Sequence, residues 1–179
     1  MKFGIKKLIM TGLVASLVMV GTMLIQVPTP TGGFIHIGDS MVYLSGILLG
    51  PVAGSLAAAM GSMLADLFSG YGIYAPATFV IKGLDALVVG YIYHKLVTQD
   101  SAVMKKMTVF GVAVFLGGLI MVFGYLAYES ILRGFAAAFT GVPGNITQAV
   151  GGGVLAAPLV LALERMKVFE SLKSTIHKA

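Results

Sequence analysis

The chain contains no cysteine and no tryptophan among its 179 residues, and only 11% of its side chains are charged. Without cysteine, it cannot be a disulfide scaffold or hold a metal through thiolates. Soluble domains carry about 25% charged residues, so an ordinary soluble enzyme is disfavoured. Hydrophobic residues instead make up 58% of the chain. This composition excludes a disordered protein and predicts a membrane protein.

Apolar runs follow one another with short loops between them, at 8–25, 40–67, 78–93, 107–128 and 146–163. A membrane-spanning helix needs about 20 residues. The run 40–67 is ambiguous, because it is long enough for one span or for two short helices broken at Gly50-Pro51. Proline is tolerated in the first turn of a helix, so Pro51 could open a new one. We predict an all-α polytopic fold in a single domain over residues 1–179.

The positions of the lysines and arginines decide between five spans and six. With six spans, ten of the twelve lysines and arginines lie on the side of the amino terminus. With five, seven of those ten move to the other side. Because cytoplasmic loops carry an excess of positive charge, six transmembrane helices with both termini cytoplasmic are predicted. The second helix is then short, and it must be tilted, extended into the preceding loop or sheltered by neighbouring helices.

Six spans bring polar and aromatic side chains together at the outer end of the bundle. Thr78, Lys82 and Asp85 follow one another at i, i+4 and i+7 and share one helix face. Ionisable residues inside a membrane are expensive and usually face an interior cavity. The inner half has few such groups, which argues against a channel. The pattern predicts an outward-opening pocket, edged with aromatic residues, that binds a small, flat, polar ring compound.

Several of these charged residues also have purely structural interpretations. Lys82 and Asp85 could neutralise each other or contact a ligand, and Asp66 could pair with Lys82. Glu129 and Arg133 are spaced like an ion pair on a helix surface.

Two further motifs have a capping interpretation. Asn145-x-x-Gln148 fits a helix capping box with Asn145 at the N-cap, and it could equally belong to the site. Asp39 could be the N-cap of the second helix.

The first predicted helix carries small residues four apart, Thr11 with Ala15 and Gly12 with Ser16. Faces of this kind allow another helix to approach closely. The partner could be a helix of another protein or a neighbour in the same bundle.

The chain resembles the substrate-binding S components of energy-coupling factor (ECF) vitamin transporters. The resemblance extends over nearly the whole chain, from the basic start through six helices to the basic tail. Four local motifs carry it: Gly33-Phe-Ile-His-Ile-Gly-Asp39, Leu48-Leu-Gly-Pro51, Tyr74-Ala-Pro-Ala-Thr-Phe-Val-Ile-Lys-Gly83 and Pro143-Gly-Asn-Ile-Thr-Gln148. They are most similar to the branch for hydroxymethylpyrimidine or pyridoxine-type compounds.

The resemblance implies a subunit of the prokaryotic plasma membrane that binds a vitamin from outside and is neither an enzyme nor in need of a cofactor. Its implied partners are a membrane T component and a pair of cytosolic ATPases, whose ATP hydrolysis is thought to topple the S component. The ligand-binding residues that it implies are Phe34, His36, Thr78, Lys82, Asp85, Tyr125, Tyr128, Glu129, Asn145 and Gln148. The family's docking motif is alanine-xxx-alanine on the first helix, where this chain has Thr11, Gly12, Ala15 and Ser16.

Three other functions remain as alternatives. A riboflavin-type S component would share the fold and the partners. A stand-alone proton-coupled carrier would transport in vesicles without them. An intramembrane enzyme would use Asp66, Asp85 or Glu129 as an acid or base, and it would form product without any ATPase.

Overall fold

The computed structural model describes residues 4–29 and 33–166, which form a helical bundle with one small hairpin. The elements in chain order are α1 (Ile5–Leu24), β1 (Gln26–Pro28), β2 (Phe34–His36), α2 (Asp39–Leu49), α3 (Pro51–Phe68), α4 (Ala75–Leu96), α5 (Val103–Arg133), α6 (Phe135–Phe139) and α7 (Val142–Arg165). The predominantly helical fold is thus confirmed. The topology prediction also used Lys2 and the tail lysines Lys167, Lys173 and Lys178, which lie outside the described residues.

The predicted break at Gly50-Pro51 is present. α2 ends at Leu49 and α3 begins at Pro51. Gly50 between them has a φ of 80°, a backbone conformation that costs glycine little. Pro51 occupies the first turn of α3, where its missing N–H would have no helical partner. The long apolar run 40–67 is therefore two helices joined by one residue.

α2 can be shorter than a full membrane span because neighbouring helices cover it. Nine of its eleven residues are buried, and it packs against α1, α3, α4 and α7. Its apolar side chains Val42 and Ile47 belong to the main hydrophobic core together with Val89 of α4. A Cβ on Gly46 of α2 or on Gly90 of α4 would collide with the backbone of the other helix. These two helices therefore touch backbone to backbone.

Five helical segments of the described chain are long and apolar enough to cross a membrane: Ile5–Leu24, Pro51–Phe68, Ala75–Leu96, Val103–Arg133 and Phe135–Arg165. α2 is apolar but shorter, with 11 residues. The chain is thus built as a multi-pass membrane protein.

The loop after α1 contains an antiparallel hairpin, which the all-α prediction did not include. β1 and β2 pair with Val27 opposite Ile35 and Pro28 opposite Phe34. The prolines and glycines of this loop exclude a helix but still allow two short extended segments to pair. Gln26 Nε2 also donates a 2.9 Å hydrogen bond to Ser69 Oγ, which ties the hairpin to the loop between α3 and α4.

The hairpin fills one end of the bundle, which we call the cavity end. Lys82 lies seven residues after the start of α4, roughly 10 Å along its axis, and it contacts Asp39, the first residue of α2. α2 therefore begins well below the top of α4. At the opposite end, His94 Nε2 lies 2.8 Å from the carbonyl oxygen of Ile47. The hairpin loop therefore occupies the space above the start of α2, where a longer helix would otherwise continue.

Candidate functional site

A cavity opens at the cavity end between the hairpin and helices α3, α4, α5 and α7. The empty space in it amounts to about 520 Å³, including the part that is open to solvent. Its lining combines aromatic, amide, hydroxyl and carboxyl side chains, which suits a small polar ligand. The lining residues are Thr29, Gly33, Phe34, Ile35, His36, Asp66, Tyr74, Thr78, Tyr125, Glu129, Gly141, Gly144, Asn145 and Gln148.

Seven of the ten residues singled out as ligand-binding line this cavity: Phe34, His36, Thr78, Tyr125, Glu129, Asn145 and Gln148. Lys82, Asp85 and Tyr128 do not belong to the lining. The lining also includes Asp66 and Tyr74, which were not among those ten. Asp66 was recognisable from the sequence as a carboxyl group inside a predicted span, and Tyr74 as an aromatic residue of an outer loop.

Three aromatic side chains, Phe34, Tyr74 and Tyr125, belong to the cavity lining. Phe34 of β2 packs against Tyr71, with ring centroids 4.5 Å apart. The hydroxyl of Tyr125 on α5 lies 2.9 Å from Thr78 Oγ1 on α4. Tyr128 is outside the lining, and its hydroxyl donates a hydrogen bond to the carbonyl oxygen of Ile73. Tyr128 thus holds the loop before α4 against α5.

Tyr74 links the two charged residues at the end of α5. Its hydroxyl donates to Glu129 Oε1 at 3.2 Å and accepts from Arg133 Nη2 at 2.6 Å. The predicted direct pair between Glu129 and Arg133 is therefore not what the structure contains. Tyr74 lies between the two residues because the loop before α4 folds back over the end of α5.

Two carboxyl groups of the cavity each keep one oxygen without a partner. Asp66 Oδ2 on α3 and Glu129 Oε2 on α5 are buried, and neither has a hydrogen-bond partner among the described residues. Buried polar atoms are usually paired, because an unpaired one loses its water without replacement. These two oxygens are the clearest unmet hydrogen-bonding groups in the lining.

A buried charge network lies beneath the cavity floor. Lys82 Nζ donates to Asp39 Oδ1 at 2.5 Å, and both side chains are fully buried. The other oxygen of Asp39 accepts from Gln148 Nε2 at 3.1 Å. Gln148 Oε1 in turn accepts from the backbone N–H of His36 at 3.1 Å. The network thus joins α4, α2 and α7 to the second strand of the hairpin.

Lys82 is paired with neither of the partners that the sequence suggested. Its partner is Asp39, not Asp85 or Asp66. Both carboxyl oxygens of Asp85 are buried, and they lack a hydrogen-bond partner in the part of the chain that the structure describes. Asp85 packs against Gly117 of α5 instead. The local i,i+3 spacing was overridden because the loop before α2 brings Asp39 down to the level of Lys82.

Both capping interpretations are wrong. α7 begins at Val142 with Gly141 at its N-cap, so Asn145 and Gln148 lie inside the helix. Asp39 is the first residue of α2 rather than its N-cap, and the helix has no side-chain cap hydrogen bond. Asn145 and Gln148 face the cavity instead, and the carboxylate of Asp39 serves the buried network.

His36 sits between the cavity and this network. Its Nδ1 accepts a 3.0 Å hydrogen bond from the backbone N–H of Gly38. Burial lowers the pKa of His36 to about 4, with Asp39 opposing the shift and Lys82 adding to it. The imidazole is therefore neutral at physiological pH.

A family model described as ECF-type riboflavin transporter, S component, matches residues 2–165 of the chain. The chain belongs to this family. It is therefore the substrate-binding subunit of an ECF transporter, and not an enzyme. S components of ECF transporters work together with a T component and ATPases. The predicted S component is thus confirmed, and the family assignment removes the intramembrane enzyme from the alternatives.

This S component is similar to proteins from two organisms and to one solved structure. An "uncharacterized protein in gap 3'region" from Pyrococcus woesei is 34% identical over 149 residues, which cover 83% of this chain and 95% of the relative. A UPF0397 protein from Streptococcus agalactiae is 31% identical over 103 residues, and the match spans only 56% of that protein. The solved structure of the S component of a bacterial ECF transporter superimposes with a TM-score of 0.66. At 20% identity over 90% of this chain and 96% of the other, this likeness concerns the fold.

The first helix of the S component presents two different surfaces. Ala15 packs against the core that α1 shares with α3, and Thr11 is partly buried. Gly12 and Ser16 are exposed, and a Cβ on Gly12 would meet nothing within 4 Å. The hydroxyl of Ser16 donates to the carbonyl oxygen of Gly12 at 3.0 Å, so it presents no unmet donor. Of the two small-residue pairs, only Gly12 and Ser16 form an open surface.

Proposed function

We propose that this S component binds a small single-ring vitamin or vitamin precursor that is rich in hydrogen-bond donors, with hydroxymethylpyrimidine and pyridoxine favoured. The observation that carries this proposal is the pair of unpartnered oxygens, Asp66 Oδ2 and Glu129 Oε2, in the cavity lining. An ionised carboxylate can only accept hydrogen bonds. A buried acceptor left unmet costs about 1–3 kcal/mol, so a ligand that brings two donors gains most.

The charge of the lining supports a ligand without acidic groups. The lining contains two carboxyl groups, Asp66 and Glu129, and no lysine or arginine. A phosphate ester or carboxylate ligand would be repelled there and would find no cation. Hydroxymethylpyrimidine offers an amino and a hydroxymethyl group, and pyridoxine offers three hydroxyl groups.

The remaining lining residues orient the ring in this proposal. Phe34 and Tyr125 contact its faces or edges, while Thr78 and Asn145 provide polar contacts at its rim. Lys82 acts from below through Asp39 and Gln148 and does not touch the ligand. Asp85 lies outside the lining and has no part in binding, and Tyr128 acts by holding the loop at Ile73.

A riboflavin-type ligand is the second candidate, because the matching family is described by riboflavin. Its three fused rings and ribityl chain need more enclosed space than a single ring. The cavity volume of about 520 Å³ already includes open solvent. Because the enclosed part of the cavity is smaller than this figure, the smaller ligands are favoured.

Calorimetry on the purified protein in detergent tests the choice of ligand. We expect submicromolar binding of hydroxymethylpyrimidine or pyridoxine and none of pantothenate, which carries a carboxylate. Riboflavin and thiamine complete the panel. Tight binding of riboflavin alone would establish the second candidate, and binding of pantothenate would refute the argument from the two carboxyl groups.

We further propose six membrane passes in one domain, with both termini cytoplasmic and the cavity facing outward. The excess of lysine and arginine at the end opposite the cavity supports this orientation. Because the chain has no cysteine, single-cysteine variants can be read without background. Gln99→Cys should react with an impermeant maleimide only in inverted vesicles, and Ser69→Cys only in intact cells. The reverse pattern would invert the topology.

Docking of the T component on α1 is proposed to use the open surface at Gly12 and Ser16, next to Thr11 and Ala15. Gly12→Leu should reduce co-purification with the T component and leave ligand binding unchanged. Gly111→Leu on α5 is a matched control, because a Cβ there also meets nothing within 4 Å. Equal loss of assembly in both variants would contradict a surface specific to α1.

Transport by vesicles that contain this chain alone would instead support a stand-alone carrier.

A further inference from the structure

We propose that His36 is a neutral hydrogen-bond donor whose Nε2–H faces the ligand and selects compounds with an acceptor atom on the ring edge. This inference rests on the proposed function, namely that the cavity binds a small ring compound. It places a proton on His36 Nε2, and the ligand must then present an acceptor atom to that nitrogen.

Gly38 determines which imidazole nitrogen carries the proton. The backbone N–H of Gly38 points at His36 Nδ1 over 3.0 Å in a buried setting. An amide N–H can only donate, so Nδ1 must present its lone pair. Within the described residues this amide has no other acceptor. A neutral imidazole with a free lone pair on Nδ1 carries its proton on Nε2.

Gln148 cannot accept that proton. Its Nε2 lies 3.3 Å from His36 Nε2. The orientation of the Gln148 amide is fixed, because its oxygen accepts from the His36 backbone N–H and its nitrogen donates to Asp39 Oδ2. Turning the amide over would replace both hydrogen bonds with repulsive contacts. The second amide hydrogen has an alternative acceptor in Met121 Sδ at 3.7 Å.

The opposite tautomer would leave more hydrogen-bonding groups without a partner. With the proton on Nδ1, the 3.3 Å contact to Gln148 becomes a hydrogen bond, but the shorter contact to Gly38 sets two donors against each other. Gln148 can lose its contact because it already donates to a carboxylate, whereas the buried amide of Gly38 would be left without an acceptor.

The ring also carries no charge that would favour an acidic ligand. Burial lowers the pKa of His36 to about 4. Asp39 on α2 opposes this shift, Lys82 on α4 adds to it, and Asp66 and Glu129 line the same cavity. Because these two carboxyl groups repel an anionic ligand, the acceptor that matches this N–H is an uncharged one such as a ring nitrogen.

The ligand then has two unlike edges. One edge accepts from His36, and the other donates to the free oxygens of Asp66 and Glu129. An aminopyrimidine combines these features, because its ring nitrogens accept while its amino and hydroxymethyl groups donate.

Nitrogen NMR tests the position of the proton without any ligand. The protein is labelled with ¹⁵N-histidine in detergent, and the His36 signals are identified as those missing from His36→Phe. At neutral pH we expect a protonated Nε2 and an unprotonated Nδ1. A protonated Nδ1, or an imidazolium, would overturn the assignment.

Binding measurements test the contact to the ligand. His36→Phe should weaken binding of hydroxymethylpyrimidine about tenfold, and it should change little for the benzene analogue that lacks both ring nitrogens. His36→Gln, which keeps an N–H donor, should lose less. Equal losses for both compounds would show a merely structural role and overturn the proposal. Failure of every ring compound to bind would refute the proposed function and the donor role together, and the NMR spectrum would still report the tautomer.

Discussion

The buried ion pair between Lys82 and Asp39 makes Asp39→Asn the most informative single substitution for stability. Both side chains are fully buried, and the charged atoms are 2.5 Å apart. Removing one partner of such a pair leaves an uncompensated charge in a medium of low dielectric constant, which costs about 3–5 kcal/mol. The substitution also weakens the hydrogen bond from Gln148, because a neutral amide oxygen replaces a carboxylate. We therefore expect a loss of about 3–5 kcal/mol in the free energy of unfolding.

Asp85→Asn is the matched control. Asp85 is also fully buried and near Lys82 in sequence, and the substitution is chemically the same. Its two oxygens have no hydrogen-bond partner among the residues described. Losing the carboxylate there breaks no hydrogen bond, so we expect the stability to stay within about 1 kcal/mol of the parent.

Thermal unfolding in detergent, followed by far-ultraviolet circular dichroism, separates the two variants. In proteins of this size 1 kcal/mol shifts the Tm by about 2–4 °C, so Asp39→Asn should lower the Tm by roughly 6–20 °C. An unchanged Tm for Asp39→Asn would refute the role of this ion pair. A drop in Asp85→Asn as large as that in Asp39→Asn would show that Lys82 depends on Asp85 as well.

Three further predictions concern ligand binding and pH. Glu129→Gln should weaken binding of hydroxymethylpyrimidine about tenfold in calorimetry, because one acceptor becomes a donor; unchanged affinity would contradict that contact. Lys82→Ala should weaken binding by more than about 1.5 kcal/mol through the loss of order at Asp39 and Gln148, and binding equal to the parent would exclude this indirect role. Because the pKa of His36 falls from 6.5 to about 4 on folding, the unfolded chain binds the extra proton between these values. Stability should therefore fall by about 3 kcal/mol as the pH drops from 6.5 to 4 and then level off, and His36→Phe should remove this part of the slope in Tm measurements.

The division into helices could be predicted because its signals are local. Gly50 and Pro51 mark the break between α2 and α3 by their own backbone preferences. The set of side chains at the cavity end could also be predicted, because polar residues within apolar runs usually face an interior cavity. Phe34 and Gln148, 114 residues apart in the sequence, both reach the cavity lining.

The pairing of those side chains could not be predicted, because it depends on how far a loop descends into the bundle. Sequence spacing favours Asp85 for Lys82, yet Asp39 is its partner across 43 residues. Gln148 looked like part of a cap because α7 begins several residues before the motif that seemed to open it. The hairpin was missed because three-residue strands leave almost no pattern of alternation.

The shelter that α2 receives has a consequence for how the chain enters the bilayer during synthesis. Eleven residues that begin with an aspartate are too few to span the bilayer alone, since a spanning helix needs about 20. α2 must therefore enter together with α3, to which Gly50 joins it. Asp39 remains without its ion-pair partner until α4, which carries Lys82, has been synthesised. A nascent chain that ends before α3 should leave α2 outside the hydrocarbon, so the short length of α2 makes its insertion depend on the helix that follows it.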